Sequence, residues 1–194
     1  MSQVDAIQLY RKSLAERQTE MLNVELNKLQ QAVLTTPSST AEEANLRAKE
    51  AEMVLQFVAK AREVQPKGQV VLNEKTMATT LLEDGDVIVI PEKSSLVAVH
   101  GMVMFPNAVA WQNNYSVANY IEKTGGYAQS KGKSRVIVIR QNGEALAASR
   151  STRLNPGDEI MVLPEVKTKS IEVTRGITSI LYHLAVAAKV ILDL

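Results

Sequence analysis

The chain has no cysteine, few aromatic side chains and almost no net charge. Its 194 residues include 22 basic and 21 acidic side chains, so the net charge is +1, and only 4% of the residues are aromatic. Without cysteine the chain forms neither a disulfide nor a thiolate metal site, and its composition is compatible with an oxidising compartment. A near-zero net charge gives no overall field that favours nucleic acid, so we predict no nucleic-acid partner.

Patterns that carry catalysis or metal binding are also missing from the sequence. The two histidines, His100 and His183, lie far apart, and neither has a second ligand at metal-site spacing. The stretch TGGYAQSKGKS forms no phosphate-binding fingerprint, and no G-x-S-x-G or S-x-x-K pattern marks a nucleophile. We therefore predict that the protein is not an enzyme and uses no cofactor or metal.

The N-terminal stretch MSQVDAIQLYRKSLAERQ has no pattern of a secretion signal. A basic start, an apolar centre and a small-residue cleavage site are all absent from it. We expect a mature or shortened form whose export signal lies outside this sequence.

Two sets of apolar residues recur at helical spacing within residues 1–66. The first set is Leu22, Leu26, Leu29 and Val33, and the second is Leu46, Met53 and Phe57. Between them, Pro37 stops the first helix, and Thr40 with Glu43 has the spacing of a capping box. We predict a helical hairpin that buries its own stripe, lies on the neighbouring domain, or forms a coiled-coil arm for a partner helix.

After Pro66 the sequence changes to short runs rich in valine and isoleucine. The runs QVVL, DVIVI, SLVAVHGMV, RVIVIRQNGEALA and DEIMVL are separated by turn residues, which is typical of a small fold made mainly of β-strands. Between them, SVANYIEK from Ser116 to Lys123 predicts a helix that stops at Gly125 and Gly126. The dipeptide Asn142-Gly143 predicts a tight type I′ hairpin.

One motif occurs twice, as LEDGDVIVIPEK from Leu82 to Lys93 and as LNPGDEIMVLPE from Leu154 to Glu165. Glycine permits a positive φ before the strand, aspartate ties the turn by accepting nearby N–H groups, and proline ends the strand. No second carboxylate or histidine has a recognisable spacing to either aspartate. We therefore interpret Asp86 and Asp158 as turn formers rather than catalytic acids, and each motif copy as the end of a small β unit.

Several further motifs are shared with a known family. They are V-x-V-x-G-x-V-x-x-P from Val97 to Pro106, SVANYIEKTGGY from Ser116 to Tyr127, the RVIVIR strand followed by Asn-Gly, and the closing PGDEIMVLP. In these motifs residues 69–194 resemble the outer-membrane polysaccharide export proteins (KpsD/Wza type), in the part that carries soluble-ligand-binding β-grasp (SLBB) domains. The ending ITSILYHLAVAAKVILDL is more similar to the KpsD-type exporters of ABC-transporter-dependent capsule systems than to the Wza pattern.

The resemblance implies an α+β fold: β-grasp (SLBB) domains with an inserted helical hairpin and a C-terminal amphipathic helix. We assign residues 1–66 to the hairpin and 67–95 to the closing strands of a first, incomplete β-grasp unit whose early strands are absent. Residues 96–168 are assigned to an SLBB β-grasp domain and 169–194 to the C-terminal helix. The lipoprotein cysteine and the N-terminal export domain usual in the family are not in this sequence, so we expect a C-terminal portion of a longer protein.

A local excess of positive charge occurs between residues 131 and 153. This segment holds one acid, Glu144, against Lys131, Lys133, Arg135, Arg140, Arg150 and Arg153. Arginine forks bind carboxylates and phosphates well. The candidate contacts for an acidic polysaccharide are therefore Lys131, Lys133, Arg135 and Arg140, with Tyr127 for stacking on a sugar. The alternatives are a solvated face with salt bridges between subunits, and a core position for the tyrosine.

The C-terminal stretch from Ile177 to Leu192 reads as an amphipathic, mainly apolar helix. Its candidate membrane-facing residues are Ile177, Ile180, Leu181, Leu184, Ala188 and Ile191. Such a helix is about 24 Å long, which is too short for a lone span. In a ring the polar stripes can face a wet lumen or one another, and the thinner bacterial outer membrane relaxes the length requirement. The alternative is a helix packed on the β-grasp domain or on a neighbour.

With the resemblance, these features predict a component of a capsular polysaccharide export channel. The expected assembly is a homo-oligomeric ring in the periplasm and outer membrane that passes capsular polysaccharide to the cell surface. Its expected partner is inner-membrane export machinery of the ABC-transporter or co-polymerase type. The alternative is a monomeric, non-catalytic carbohydrate-binding β-grasp module. An enzyme acting on capsule glycans would need paired carboxylates, which no motif marks.

Overall fold

The computed structural model describes residues 6–35, 37–38, 40–128, 135–166, 168 and 170–188, with only the backbone of residue 74. It forms two compact units, each made of two stretches of chain. The β unit comprises Met1–Leu14 and Lys67–Glu165, and the helical unit comprises Ala15–Pro66 and Val166–Leu194.

The structure contains both helices and strands. The strands are β1 (Gln8–Tyr10), β2 (Gln69–Val70), β3 (Val87–Val89), β4 (Leu96–Gly101), β5 (Asn107–Ala110), β6 (Val136–Ile139), β7 (Ala145–Ala148) and β8 (Glu159–Val162). The helices are α1 (Lys12–Thr35), α2 (Ala41–Arg62), α3 (Glu74–Met77), α4 (Val117–Lys123) and α5 (Ile171–Ala188). This content confirms the predicted α+β class and is compatible with a β-grasp-like fold.

The larger sheet of the β unit has the strand order β5-β4-β8-β6-β7. Strand β4 runs parallel to β8, and the other neighbouring strands are antiparallel. The core of this part joins Val97 and Val99 of β4, Ile160 and Val162 of β8, and Tyr120 of α4, all of which are fully buried. The repeated aliphatic strand at the end of the second motif copy is therefore the central, buried strand of the sheet.

Helix α4 begins and ends where its sequence predicts. The Asn119 side chain accepts a hydrogen bond from the Ser116 N–H at 3.0 Å, which caps the first turn. At the other end, Gly125 and Gly126 have φ values of +84° and +86°, and the Gly126 N–H donates to the carbonyl of Ile121 at 2.9 Å. The predicted glycine stop is confirmed.

The hairpin between β6 and β7 is present, but its turn differs from the predicted type. Ile139 pairs with Ala145, and the Arg140 N–H donates to the Glu144 carbonyl at 2.8 Å, so the turn spans Gln141–Gly143. Gly143 has a φ of +89°. A single glycine at positive φ suits this longer turn, whereas a two-residue type I′ turn needs two such positions.

The smaller sheet of the β unit repeats part of the larger one. Its order is β2-β1-β3 with antiparallel neighbours, as in β7-β6-β8. The register is also the same: Leu9 lies opposite Ile88, and Val138 lies opposite Ile160, each partner standing two residues after its motif aspartate. We call β1-β2-β3 the first repeat and β6-β7-β8 the second repeat.

The two long helices α1 and α2 lie in the chain between β1 and β2, where the second repeat has only its short turn. This position confirms the predicted insertion of a helical hairpin. Strand β1 itself falls inside the stretch 1–66 that we assigned to the hairpin, because a three-residue strand is too short for its alternation to be recognised. The domain boundaries after residues 66, 95 and 168 stay predictions.

The helical unit buries one face of each of its three long helices in a common core. The core residues are Leu22, Leu26, Leu29 and Val33 of α1, Val54, Phe57, Val58 and Ala61 of α2, and Val173, Ile177, Ile180, Leu181 and Leu184 of α5. The stripe predicted for α1 is confirmed. The stripe predicted for α2 is wrong at Leu46 and Met53, which are 51% and 64% exposed. The buried face of α2 is instead centred on Val54 and Phe57.

Polar contacts fix the directions of these helices. Arg62, at the end of α2, donates to the side-chain oxygens of Asn23 at 3.1 Å and of Asn27 at 2.6 Å, both in the middle of α1. Because only residues 36–40 join the two helices and the far end of α2 returns to α1, the hairpin is antiparallel. At the start of α2, the Thr40 hydroxyl accepts the Glu43 N–H at 3.1 Å, which confirms the predicted N-cap.

Candidate functional site

An arginine and an aspartate form a side-chain pair at the same place in each repeat. In the first repeat Arg11 directly follows β1, and Asp86 directly precedes β3. Arg11 Nε donates to Asp86 Oδ1 at 3.0 Å, and Nη2 donates to Oδ2 at 2.7 Å, so the contact is bidentate. The Glu83 N–H also donates to Asp86 Oδ2, at 2.9 Å. These hydrogen bonds hold the pKa of Asp86 below its ordinary value, because they favour the carboxylate more than desolvation opposes it.

The second repeat has Arg140 after β6 and Asp158 before β8. Arg140 Nη1 contacts Asp158 Oδ2, and the Asn155 N–H donates to the same oxygen at 2.6 Å. The Asp158 side chain is only 2% exposed. Burial raises the pKa of Asp158 above its ordinary value, because the desolvation of the carboxylate outweighs the support from Asn155 and Arg140.

The turn role predicted for the two aspartates is confirmed by these contacts. Each carboxylate accepts the N–H of the residue three positions before it, and the intervening glycines, Gly85 and Gly157, have φ values of +83° and +86°. At Gly157 an added Cβ would also lie 2.0 Å from the side-chain Nε2 of Gln141, which would have to move aside. The positive φ is therefore the main reason that glycine is favoured there.

Because the two aspartate pKa values are displaced in opposite directions, we expect matched variants to differ in their pH dependence. Asp86 stabilises the fold above its unfolded-state pKa, and this contribution is lost as the pH falls through the lowered folded-state pKa. Asp158 contributes stability below its unfolded-state pKa and loses it as the pH rises through the raised folded-state pKa. The loss of melting temperature in Asp86→Asn should thus grow from about pH 3 to about pH 7, and that in Asp158→Asn should shrink. Thermal unfolding followed by circular dichroism measures both, and two losses that change in the same direction would contradict the assignment.

The turn of the second repeat contacts strands of the first. The carbonyl oxygen of Gln141 accepts hydrogen bonds from Gln8 Nε2 at 2.8 Å and from Gln69 Nε2 at 3.2 Å. Asn142 Nδ2 donates to the carbonyl of Leu72 at 2.8 Å. The second repeat is thereby tied to the first through a backbone carbonyl and a side-chain amide that a short turn presents.

A polar depression of about 450 Å³ lies beside the second Arg–Asp pair. It is lined by Ala6, Arg140, Gln141, Asn142, Glu144, Asn155, Pro156 and Asp158. One arginine faces two carboxylates in this lining, so the depression has no net attraction for an anion. Gln141 Oε1 is buried and finds no hydrogen-bond partner among the described residues, which leaves one acceptor for a hydroxyl-bearing ligand.

The candidate polysaccharide contacts do not form one cluster. Arg140 is engaged by Asp158. Arg135 is exposed at the start of β6, and Tyr127 is half-buried against the β core. Lys131 and Lys133 lie outside the described residues. Of the candidates in the described ranges, Arg135 is thus the cation with the most accessible side chain.

The candidate membrane-facing residues of the C-terminal helix lie on its packed side. Ile177, Ile180, Leu181 and Leu184 belong to the helical core, and Ala188 is also buried. Ile191 lies outside the described residues. Among the helices described here, none combines the length and the apolar character needed to cross a membrane.

Sequence reasoning missed the arginine partner of each motif aspartate. The available signal was the position of an arginine directly after an aliphatic strand in both VIVIR and AIQLYR, each ahead of one motif copy. Within the described ranges no group of three or more histidine, cysteine, aspartate or glutamate side chains is placed to hold a metal ion.

The fold and its paired sites define a class: an α+β protein, compatible with a β-grasp-like fold, in which two three-stranded repeats are each closed by an Arg–Asp pair. Over all 194 residues the chain is 61% identical to two Escherichia coli proteins, both described as polysialic acid transport protein KpsD. It is thus related to the KpsD/Wza-type polysaccharide export proteins, which confirms the resemblance in its motifs. The chain spans about a third, 35%, of the length of these relatives. No protein-family model matches it.

Proposed function

We propose that the protein is part of a capsular polysaccharide export channel, in which copies form a ring that passes the polysaccharide to the cell surface. The observation that carries this proposal is the 61% identity along the entire chain to polysialic acid transport protein KpsD. Identity at this level, without a break over both the β unit and the helical unit, supports a shared role in polysaccharide export. The proposed location is the periplasm and the outer membrane.

The proposed role is geometric and not catalytic. The charged side chains of the two Arg–Asp pairs are engaged in closing turns, so they are poorly placed to act as acid and base. Energy for export would come from an inner-membrane partner of the ABC-transporter or co-polymerase type. Self-association into a ring is supported by the repeats, since one β unit is too small to enclose a passage alone.

The polymer proposed to pass through the ring is an acidic polysaccharide, as the name of the KpsD relatives indicates for them. Arg135 supports this choice because it is exposed and belongs to a sequence segment rich in basic residues. Arg140 is a weaker candidate for direct contact, since releasing it would leave the buried Asp158 carboxylate without its cation.

Charge reversal of the basic segment tests this proposal. Replacing Lys131, Lys133 and Arg135 by glutamate should reduce surface capsule severalfold, because the passage would then repel an acidic polymer. The protein level should not change, since lysine and arginine are rarely buried in proteins and substitutions at the surface usually alter stability by less than about 0.5 kcal/mol. Surface capsule is measured by antibody or lectin binding to cells that carry the variant as their only copy.

A matched control for this experiment is the reversal of Lys28, Lys49 and Arg175, three exposed cations of the helical unit. Equal loss of capsule in both triple variants would point to net charge, and unchanged capsule in the test variant would remove the segment from the export path.

The second candidate function is a carbohydrate-binding module, favoured by the polar depression beside Arg140. Its volume suits a ligand of one or two sugar rings, and its lining offers amide donors and acceptors. Sedimentation in detergent separates the two functions: a channel component should form a high-order oligomer, whereas a binding module should remain a monomer at every concentration.

A further inference from the structure

Phe105 is the aromatic side chain with the most accessible surface. All eight aromatic residues lie within the described ranges, and seven of them are buried or half-buried, whereas Phe105 is 67% exposed. Its neighbour Met104 is 51% exposed. Tyr127, the residue that we predicted to stack on a sugar, is half-buried against the β core. Exposed aromatic surface is therefore offered by Phe105 and not by Tyr127.

The backbone holds Phe105 in a short two-stranded ribbon. Its N–H donates to the Thr124 carbonyl at 3.0 Å, and the Met104 N–H donates to the Gly126 carbonyl at 3.0 Å. The ring lies against Gly125, where an added Cβ would be only 2.8 Å from Phe105 Cδ2. A ring that is already fixed in place loses little conformational entropy when it binds a partner.

The charges in this part of the chain suit an acidic partner. Residues 96–143 include one acid, Glu122, and five basic residues. Among the described residues of this stretch, Lys123 and Arg135 are exposed cations. Lys123 directly precedes Thr124, which accepts the Phe105 N–H. An anionic polymer that contacts this stretch therefore meets more positive than negative charge.

Arg135 lies at the same end of the larger sheet as the ribbon. On one side of β8, the Val162 carbonyl accepts the Met102 N–H at 2.9 Å. On the other side, the Leu163 N–H donates to the Arg135 carbonyl at 2.9 Å. Neighbouring strands are about 4.8 Å apart, so about 10 Å separates the backbones at Met102 and Arg135. Successive sugars of one polymer can span this distance.

We propose that Phe105 is a stacking platform for a sugar ring of the exported polysaccharide, and that Lys123 and Arg135 face acidic groups of the same polymer. This inference rests on the proposed function and names the side chain that the polymer contacts. The C–H groups on one face of a sugar ring pack on the electron-rich face of an aromatic ring, while the sugar hydroxyls stay in water. A single exposed ring beside cationic side chains suits a sugar better than a membrane surface, which takes several apolar side chains on one face.

A substitution series at Phe105 separates stacking from a general apolar contact. Phe105→Tyr keeps an aromatic face, whereas Phe105→Leu keeps only apolar surface. In cells that carry the variant as their only copy, Phe105→Tyr should retain surface capsule, and Phe105→Leu should lower it at least about threefold. Equal capsule in these two variants, whether high or low, would overturn the proposal, since the partner would then not require an aromatic face. Val71→Ala, at another exposed apolar residue of the β unit, is the control and should leave the capsule unchanged.

Two neighbouring glycines provide a matched test of the position of the ring. Gly125 and Gly126 have nearly equal φ values, +84° and +86°, so alanine strains the backbone similarly at both. Only at Gly125 would the added Cβ meet Phe105, because nothing lies within 4 Å of it at Gly126. Gly125→Ala should therefore lower surface capsule more than Gly126→Ala at a similar melting temperature. Equal capsule in the two variants would contradict a positioned ring.

Direct binding is measured by NMR titration of the 194-residue chain with oligosaccharides prepared from the capsule of the cells that encode the protein. The Phe105 ring and Gly125 amide signals should shift, and the affinity should fall severalfold in Phe105→Leu. No shift at millimolar sugar would overturn the platform. Failure of the proposed function has a different signature, since deletion of the whole gene would then leave surface capsule unchanged, whatever the titration shows.

Discussion

Deletion of Gly176–Leu194 is expected to unfold the helical unit. The deleted stretch contains Ile177, Ile180, Leu181 and Leu184, all 2% exposed or less. Burial of each such side chain is worth about 1.5–3 kcal/mol, so the four together contribute about 6–12 kcal/mol. This is comparable to the whole stability of a domain, about 5–15 kcal/mol. Circular dichroism should show lost helical signal, and limited proteolysis should show rapid cleavage within 15–66.

Single substitutions provide the control for this deletion. Leu184→Ala should lower the stability of the helical unit by about 2–5 kcal/mol through the cavity that it leaves. Ile171→Ala, in the same helix, should have little effect, because Ile171 is 68% exposed. If the deletion left helicity and melting temperature unchanged, α5 would not be packed in solution, and the membrane-facing role predicted from its sequence would be favoured instead.

The second large effect is expected at the second Arg–Asp pair. Arg140→Ala would leave the Asp158 carboxylate buried, with the Asn155 N–H but without its cation. Breaking a buried pair in this way costs about 3–5 kcal/mol, which for a domain near 100 residues lowers the melting temperature by roughly 10–30 °C. The cost should become smaller at acid pH, where Asp158 takes up a proton readily because burial raises its pKa.

The first repeat supplies the matched control for this variant. Arg11→Ala removes the cation at the equivalent position, but there the lowered pKa of Asp86 indicates that hydrogen bonds dominate over desolvation. We therefore expect a smaller loss of melting temperature for Arg11→Ala than for Arg140→Ala. We also expect this loss to decrease less steeply as the pH falls. A double variant, Arg140→Met with Asp158→Asn, should recover part of the loss, because it removes both charges from the buried site. Equal losses in Arg11→Ala and Arg140→Ala would contradict the opposite displacement of the two aspartate pKa values.

The sequence alone predicted correctly those elements whose signals lie within a few residues of one another. The glycine stop after α4, the N-cap at Thr40 and the apolar stripe of α1 were all predicted correctly. Each depends on backbone conformation or helical spacing, which neighbouring residues determine. The duplicated GD motif likewise fixed two turns, because glycine at positive φ and an aspartate that accepts a nearby N–H act within a span of four positions.

Contacts between distant residues were decided by the tertiary structure. The pairing of Arg11 with Asp86 spans 75 positions, and no periodicity within the sequence links the two. Strand β1 was missed because three residues give too little alternation, and it is recognised only by its pairing with β2 and β3. The stripe of α2 was misplaced at Met53 because apolar residues occur on more than one face, and only packing selects the face that is buried.

The basic segment shows that the sequence does not reveal which charged side chains are accessible. Arg135 and Arg140 are equivalent as cations in the printed sequence, yet one is exposed and the other is held by a buried carboxylate. The sequence by itself determined that this chain has repeated β units, a helical hairpin and an amphipathic C-terminal helix, because these follow from local spacing. Only the tertiary structure decided which strands pair, which charges are free and where the apolar faces are covered, because burial and pairing depend on residues that are remote in the chain.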